Sequence, residues 1–307
     1  MVQILVEKLG VYNGHKDSIY ALEKGMTNST FFTASGDGMV VLWDMFMPNE
    51  GKLIAKLAHS VYALNFLPET NELIIGHNFE GVHIIDTLTN TETKSAQITK
   101  SAIFNIKNYK NQIFVGTGDG CLIVLQKSDL SVIAKLKITD SSIRVITVDS
   151  SRNYLIVASS DHLVRILDLT SLQIIHTLKG HTNSVFAASI SPDGKILITG
   201  GRDATLMIWD MQTFERLHVI PAHMYTINDI AFCVSGNYFV TASMDKSIKV
   251  WDRKQFKLLK VIDKSRHAGH GTSVNKVLWT EHDHTIISVS DDRTISIWNV
   301  DLPHERI

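Results

Sequence analysis

Four histidines, four aspartates and four hydroxyl residues recur at fixed offsets in this 307-residue chain, and together they could do nucleophilic chemistry. His15, His181, His223 and His270 are each followed 28 positions later by a tryptophan: Trp43, Trp209, Trp251 and Trp298. Ten residues before each tryptophan stands a hydroxyl (Thr33, Thr199, Thr241, Ser288), and six before it a carboxylate (Asp37, Asp203, Asp245, Asp292). In a hydrolase triad the imidazole must reach both the nucleophilic oxygen and an orienting carboxylate. An enzyme needs one such site. Four copies at one spacing read instead as a repeated structural device, in which hydrogen bonds satisfy buried polar groups at about 1 kcal/mol each.

The elements that carry these residues are short strands. Residues 179–210, KGHTNSVFAASISPDGKILITGGRDATLMIWD, hold apolar runs at Ser184–Ile190, Lys195–Thr199 and Thr205–Trp209. Ser191-Pro192-Asp193-Gly194 makes the first reversal and Gly200–Asp203 the second, with proline fixing φ and Asp-Gly supplying the turn. The runs lack a clean in/out alternation, so both faces of each sheet are expected to be covered by neighbouring sheet.

The period of about 42 residues continues where the signature fades. Units around HSVYALNF…LIIGHNFEGVHIID, SAIFNI…IFVGTGDGCLIVL and SSIRVITV…LIVASSDHLVRILD keep the strand pattern. Asp119 and Asp161 keep the turn carboxylate there, Leu125 and Leu167 stand at the tryptophan position, Glu80 replaces the aspartate of the second unit, and His59 lies two residues out of phase. On GHTNSV…TGGRDATLMIWD, AHMYTI…TASMDKSIKVWD and GHGTSV…SVSDDRTISIWN the chain resembles the WD-repeat family of β-propellers. The resemblance covers nearly the whole chain. It implies an all-β, seven-bladed propeller of four-stranded antiparallel blades, one domain over residues 1–307. It also implies that the aspartate, histidine, hydroxyl and tryptophan sets form structural networks. Residues 2–9, VQILVEKL, stand where KLIAKLAH and FERLHVIPAH precede later units, so they are expected to be the outer strand of the last blade and to close the ring, with residues 300–307 as a C-terminal tail.

Net charge is −1, 20% of residues are charged and 44% hydrophobic, so no bulk field draws the chain to nucleic acid or anionic membrane. No apolar run approaches the length of a membrane span. Glu7 and Lys8 interrupt the N-terminal apolar stretch, which therefore does not read as a signal peptide. Cys121 and Cys233 lie in strands of different units, as reduced, buried thiols of a cytosolic-type compartment would. His267 with His270, and His282 with His284 around Asp283, do not make a zinc spacing. TGDGC and SGDGM turn strand to strand and open no helix, so a phosphate loop is absent. No metal and no cofactor is expected.

Function must then lie on the surface. In the family that this chain resembles, the channel entrance is lined by residues three and five positions after the network histidine and by the residue before the turn aspartate. The fifth-position set carried over is Tyr20, Tyr62, Phe104, Arg144, Phe186, Asn228 and Asn275. The set before the aspartate contributes Phe79, Arg202 and Met244 as its large or charged members apart from Asp291, and the third-position set is small throughout. Aromatic rings, methionine and arginine are the types enriched at binding hot spots. The favoured reading is a non-catalytic scaffold, cytoplasmic or nuclear, that binds a protein segment or peptide on this rim, monomeric by itself or within a larger complex. A small-ligand binder or enzyme at the same entrance is the alternative, and a nucleic-acid-associated propeller using Arg144, Arg202, Lys264, Arg266 and His267 a third. Asp291 is the one acid among the carried positions, which leaves the rim without an acid/base pair.

Overall fold

The computed structural model of the chain describes residues 4–48, 50–282 and 285–302. They form seven four-stranded antiparallel sheets. From the channel outward, blade 1 is Ile19–Lys24, Thr30–Ser35, Met39–Asp44 and Lys52–Lys56, and blade 2 is Val61–Leu67, Glu72–His77, Gly81–Asp86 and Thr91–Ala96. Blade 3 is Ile103–Tyr109, Gln112–Thr117, Cys121–Gln126 and Val132–Lys137; blade 4 is Ile143–Asp149, Tyr154–Ser159, Val164–Asp168 and Ile174–Leu178. Blade 5 is Val185–Ile190, Ile196–Gly201, Thr205–Asp210 and Arg216–Pro221; blade 6 is Ile227–Phe232, Tyr238–Ser243, Ile248–Asp252 and Lys257–Ile262. Blade 7 takes Val274–Trp279, Thr285–Ser290 and Ile295–Asp301 from the end of the chain and Leu5–Tyr12 from its start. The seven inner strands abut one another in a closed circle. A four-residue helix, Lys264–His267, capped by the Asp263 carboxylate, interrupts the approach to the last unit.

Local chemistry explains the blades. Each turn aspartate of blades 1 and 4–7 accepts the backbone N–H two residues on, as Asp37 does from Met39 at 2.8 Å and Asp245 from Ser247 at 3.0 Å. The residue between lies in the left-handed region, which suits Gly38 at φ 76° but is imposed on Lys246 at 70° and Arg293 at 69°. The middle strands are buried along almost their whole length, because apolar clusters form between blades from the facing sides of adjacent sheets. That covering on both faces is why the strands read as continuous apolar runs.

The ring closes as expected, by antiparallel pairing of Leu5–Tyr12 with Ile295–Asp301. Its boundaries differ from the reading of 2–9 and 300–307. The N-terminal strand runs to Tyr12, whose ring is buried against Trp43 and Phe31, while Leu5 and Leu9 face solvent because an outer strand has only one side to bury. At the other end Val300 and Leu302 are buried, so the last strand extends to Asp301 rather than giving way to a tail at 300. Residues 2–3, Asp283, His284 and 303–307 lie outside the described residues.

Candidate partner-binding rim

In the four blades with the full signature, the expected side chains meet. His15 Nε2 lies 2.8 Å from Thr33 Oγ1 and Nδ1 3.2 Å from Asp37, and Trp43 Nε1 donates to Thr33 at 2.8 Å. The corresponding distances are 2.8, 2.8 and 2.9 Å around His181, and 2.6, 2.8 and 3.0 Å around His223. Around His270 they are 2.9 Å to Ser288, 3.1 Å to Asp292 and 2.8 Å from Trp298 to Ser288. One neutral imidazole satisfies every member: the indole N–H donates to the hydroxyl, the hydroxyl to Nε2, and Nδ1–H to the carboxylate. This is the connectivity of a catalytic triad, but Thr33, Thr199, Thr241 and Ser288 are wholly buried and their oxygens already accept an indole N–H. No substrate carbonyl can approach them.

The three remaining blades lack the full set, and two of them build other partners around a turn aspartate at the usual offset. Blade 4 builds its turn from Asp161, which accepts from Arg165 at 2.6 Å, Thr139 at 2.7 Å and Ser159 at 2.8 Å. Blade 3 uses a Thr117 to Asp119 bond with the Cys121 thiol beside it. Blade 2 uses histidines, described below. Its strand register also moves the turn by one residue relative to the sequence reading: Phe79, not Glu80, stands at the aspartate position, and Asn78 stands before it. Ile85, paired with Leu73, fills the tryptophan position.

Burial pushes the turn carboxyls up, but the hydrogen bonds they accept outweigh it. Those from His181 and the Thr182 N–H hold Asp203 below its ordinary value, those from the Lys16 and Met39 N–H groups with His15 hold Asp37 low, and the Arg165 guanidinium with two hydroxyls takes Asp161 to about 2. His15 and His223 are held below the usual histidine value, chiefly by burial. For both kinds of group the folded chain binds fewer protons than the unfolded one. The histidine contribution is therefore complete above about pH 6.5 and fades below it, and the carboxylate contribution is lost below about pH 4 as the pH falls toward the folded values. A melting series from pH 7.5 to 2.5 should show a midpoint that holds to about pH 6.5, falls below it and falls most steeply below pH 4; a flat profile would remove the networks as a source of stability.

One backbone device sets the seven expected rim positions. Each inner strand shifts register after its first paired residue, between Ile19 and Ala21, Val61 and Ala63, Ile103 and Asn105, and likewise in blades 4–7. The unpaired residues at these bulges are Tyr20, Tyr62, Phe104, Arg144, Phe186, Asn228 and Asn275, and a bulge re-aims its side chain. Five make a continuous arc over blades 1–5. Ring centroids lie 4.6 Å apart for Tyr20 and Tyr62 and 5.5 Å for Tyr62 and Phe104; the Arg144 guanidinium then sits 4.1 Å over Phe104 and 5.0 Å over Phe186. All five are half-buried. Phe79, Arg202 and Met244 are exposed, and Phe79 borders the same wide depression as Phe104 and Ser142.

Two of the expected contact residues are spent on neighbours. The Asn228 amide donates to Ser273 Oγ and Val274 O, each at 2.9 Å, and the Asn275 amide to Ile19 O at 3.0 Å and Asp291 at 2.7 Å. Both amides thus pin one blade to the next. Arg144 is likewise less free than a simple donor, since its Nε bonds Ser160 Oγ at 2.8 Å and burial pushes its guanidinium down. The small third-position residues also do more than leave room: Ser60, Ser142 and Ser184 donate to the preceding blade's turn at Gly36, Gly118 and Ser160.

Below the mouth, all seven inner strands line a cavity of about 460 Å³. Glu23, Lys107, Asp229 and Lys276 border it, with Lys276 and Asp229 paired at 3.3 Å. Burial pushes the Glu23 carboxyl up, against the pull of Lys107, Lys24 and Lys276. Sequence alignment to the rim positions passed over these charges, because they lie deeper along the inner strands. Among the described residues no cluster of three or more histidine, cysteine or acidic side chains is arranged to hold a metal ion, and no helix is long and apolar enough to cross a membrane.

Comparison with known proteins agrees with this architecture. The family model of the WD domain, G-beta repeat, matches residues 6–44, 172–210, 214–252 and 261–299, roughly half of the chain and the parts that carry the four full networks. The crystal structure of the WD40 β-propeller domain of Doa1 superposes with a TM-score of 0.83, covering 98% of this chain and 97% of that one at 18% identity, a likeness of fold alone. The eukaryotic translation initiation factor 3 subunit I of Bombyx mori is 36% identical over 99 residues. That match spans 30% of this chain and 29% of the relative's own length.

Proposed function

The chain belongs to the WD40 family, whose propellers generally serve as protein-interaction scaffolds, and on that premise we propose that it is a non-catalytic scaffold binding a protein segment on the channel rim. The observation that carries this reading is the unbroken arc Tyr20–Tyr62–Phe104–Arg144–Phe186, in which stiff side chains are already ordered by one another. Ordering them costs little on binding, which is the property of a hot spot. Phe79, Arg202 and Met244 extend the surface around it. A short partner segment with apolar side chains would lie over the rings and accept hydrogen bonds from arginine. The partial likeness to a subunit of a translation initiation factor supports membership of a multi-protein, cytoplasmic assembly.

Capture from source lysate followed by titration of the recovered partner tests this. Phe104→Ala and Tyr62→Ala should each weaken binding about 30-fold, the equivalent of about 2 kcal/mol, with the fold intact. Asn228→Ala should lower the melting temperature and leave affinity unchanged. Unchanged affinity in well-folded Tyr62, Phe104 and Phe186 variants would move the site elsewhere on the ring. A small-ligand reading would instead use Glu23, Lys107 and Lys276 in the channel, and would be favoured if Lys107→Ala abolished an activity that the rim variants retained.

A further inference from the structure

Blade 2 has none of the aspartate, histidine, hydroxyl and tryptophan set, yet its segments are joined by a hydrogen-bond chain of a different kind. The backbone N–H of His59 lies 3.1 Å from His77 Nε2, His77 Nδ1 lies 3.3 Å from His83 Nε2, and His83 Nδ1 lies 2.6 Å from Glu92 Oε2. A backbone N–H can only donate, so His77 Nε2 must be the bare nitrogen and its proton must be on Nδ1. That proton points at His83 Nε2, which fixes the second ring in the same tautomer with its own Nδ1–H on Glu92. Every donor and acceptor is assigned, and neither ring can take another proton without setting two donors face to face. The chain ties the entry to the inner strand (His59), the end of the second strand (His77), the third strand (His83) and the outer strand (Glu92).

What this chain holds is the turn after His77. Phe79 sits there with φ 69°, a conformation that a bulky side chain adopts only when its surroundings impose it. Its ring meets that of His59 edge-on at 5.8 Å, and its N–H crosses to Ser101 O of blade 3 at 3.2 Å. The titratable groups acting on His77 are His83, Glu80, whose carboxylate is 3.8 Å away, and His59; Glu92 is met by His83 and Ser95. We infer that the His59–His77–His83–Glu92 chain is an acid-sensitive clamp that holds Phe79 at the rim near neutral pH and releases it when a proton enters the chain. This regulation rests on the reading of the rim as a binding site, but the clamp itself is testable without a partner. Burial keeps His77 below the ordinary histidine range, which puts release below about pH 6.5.

The test is nuclear magnetic resonance on the intact protein. Long-range proton–nitrogen spectra at pH 7.5 should show both His77 and His83 in the Nδ1–H tautomer. Between pH 7.5 and 5.5, exchange of the Phe79 amide, corrected for its intrinsic pH dependence, should accelerate at least tenfold. The Gly118 amide, held by Ala102 O in the histidine-free turn of blade 3, should not. His83→Phe should make Phe79 exchange fast at pH 7.5 and remove its pH dependence. Nε2–H tautomers for either ring in the wild type, or parallel behaviour of Phe79 and Gly118, would overturn the clamp whatever becomes of the variant. Unchanged partner affinity in Phe104→Ala beside a normal clamp would overturn the rim reading and leave the clamp standing, whereas weakened affinity beside parallel exchange of Phe79 and Gly118 would overturn the clamp alone.

Discussion

Deleting residues 2–9 should cost this protein much of its stability, about 4–7 kcal/mol, and make it self-associate. The strand that is removed contributes little apolar burial of its own beyond Ile4, which is 6% exposed, and the half-buried Val6. A buried aliphatic side chain is worth about 1.5–3 kcal/mol. The rest comes from what the strand covers. Lys8 Nζ lies 5.0 Å over the Trp298 ring and reaches Ala268 O at 2.6 Å, while Lys260 reaches Ile4 O at 3.0 Å. Without Leu5–Leu9, the edge Ile297–Asp301 presents open backbone groups and no lysine, the kind of edge along which chains pair with one another. Against a domain's total of about 5–15 kcal/mol, a loss of this size lowers the melting midpoint markedly. Sedimentation and melting of the truncated protein check it; a monomer with an unchanged melting midpoint would mean that the ring does not depend on its closing strand.

That boundary also shows what could be read from the chain. The ring closure was legible because VQILVEKL stands where an outer strand should. Its end at Tyr12 was not, since Gly10 and the exposed Val11 look like a connection until Tyr12 is seen packed on Trp43. The four full networks were legible because each needs one chemistry at each position. Substitutes were invisible for the opposite reason: Arg165 in blade 4 and His77 in blade 2 solve the same problem from other positions, and His59 joins in through its backbone rather than its ring. At the rim, alignment supplied the fifth-position set but not its fate. Asn228 and Asn275 are spent on neighbouring blades because an amide beside open carbonyls bonds them, whereas the aromatic rings of the arc pack against one another.

Trp298→Ala should destabilise the protein by about 3–5 kcal/mol, and Trp298→Phe by only about 1–2 kcal/mol. The indole is fully buried, so truncation leaves a large cavity in the apolar cluster between blades 6 and 7. Phenylalanine keeps most of the packing and removes the 2.8 Å bond to Ser288 Oγ, leaving a buried oxygen with an unused acceptor site. The difference between the two variants therefore measures packing, and the residue measures the network. Because Trp298 also carries Lys8, the alanine change and the N-terminal deletion should be less than additive when combined. This comparison also decides whether Ser288, His270 and Asp292 are a masked catalytic triad. In a triad, freeing Ser288 from its indole would expose a nucleophile and raise hydrolysis of an activated ester, and His270→Ala would abolish it at little cost in stability. In a structural network, neither phenylalanine nor alanine at 298 produces hydrolysis, and His270→Ala lowers the melting midpoint by removing the imidazole that links Ser288 to Asp292. Chemical denaturation and ester hydrolysis measured on the same preparations separate the two, and Trp298→Phe melting with the wild type would show that the indole bond contributes nothing.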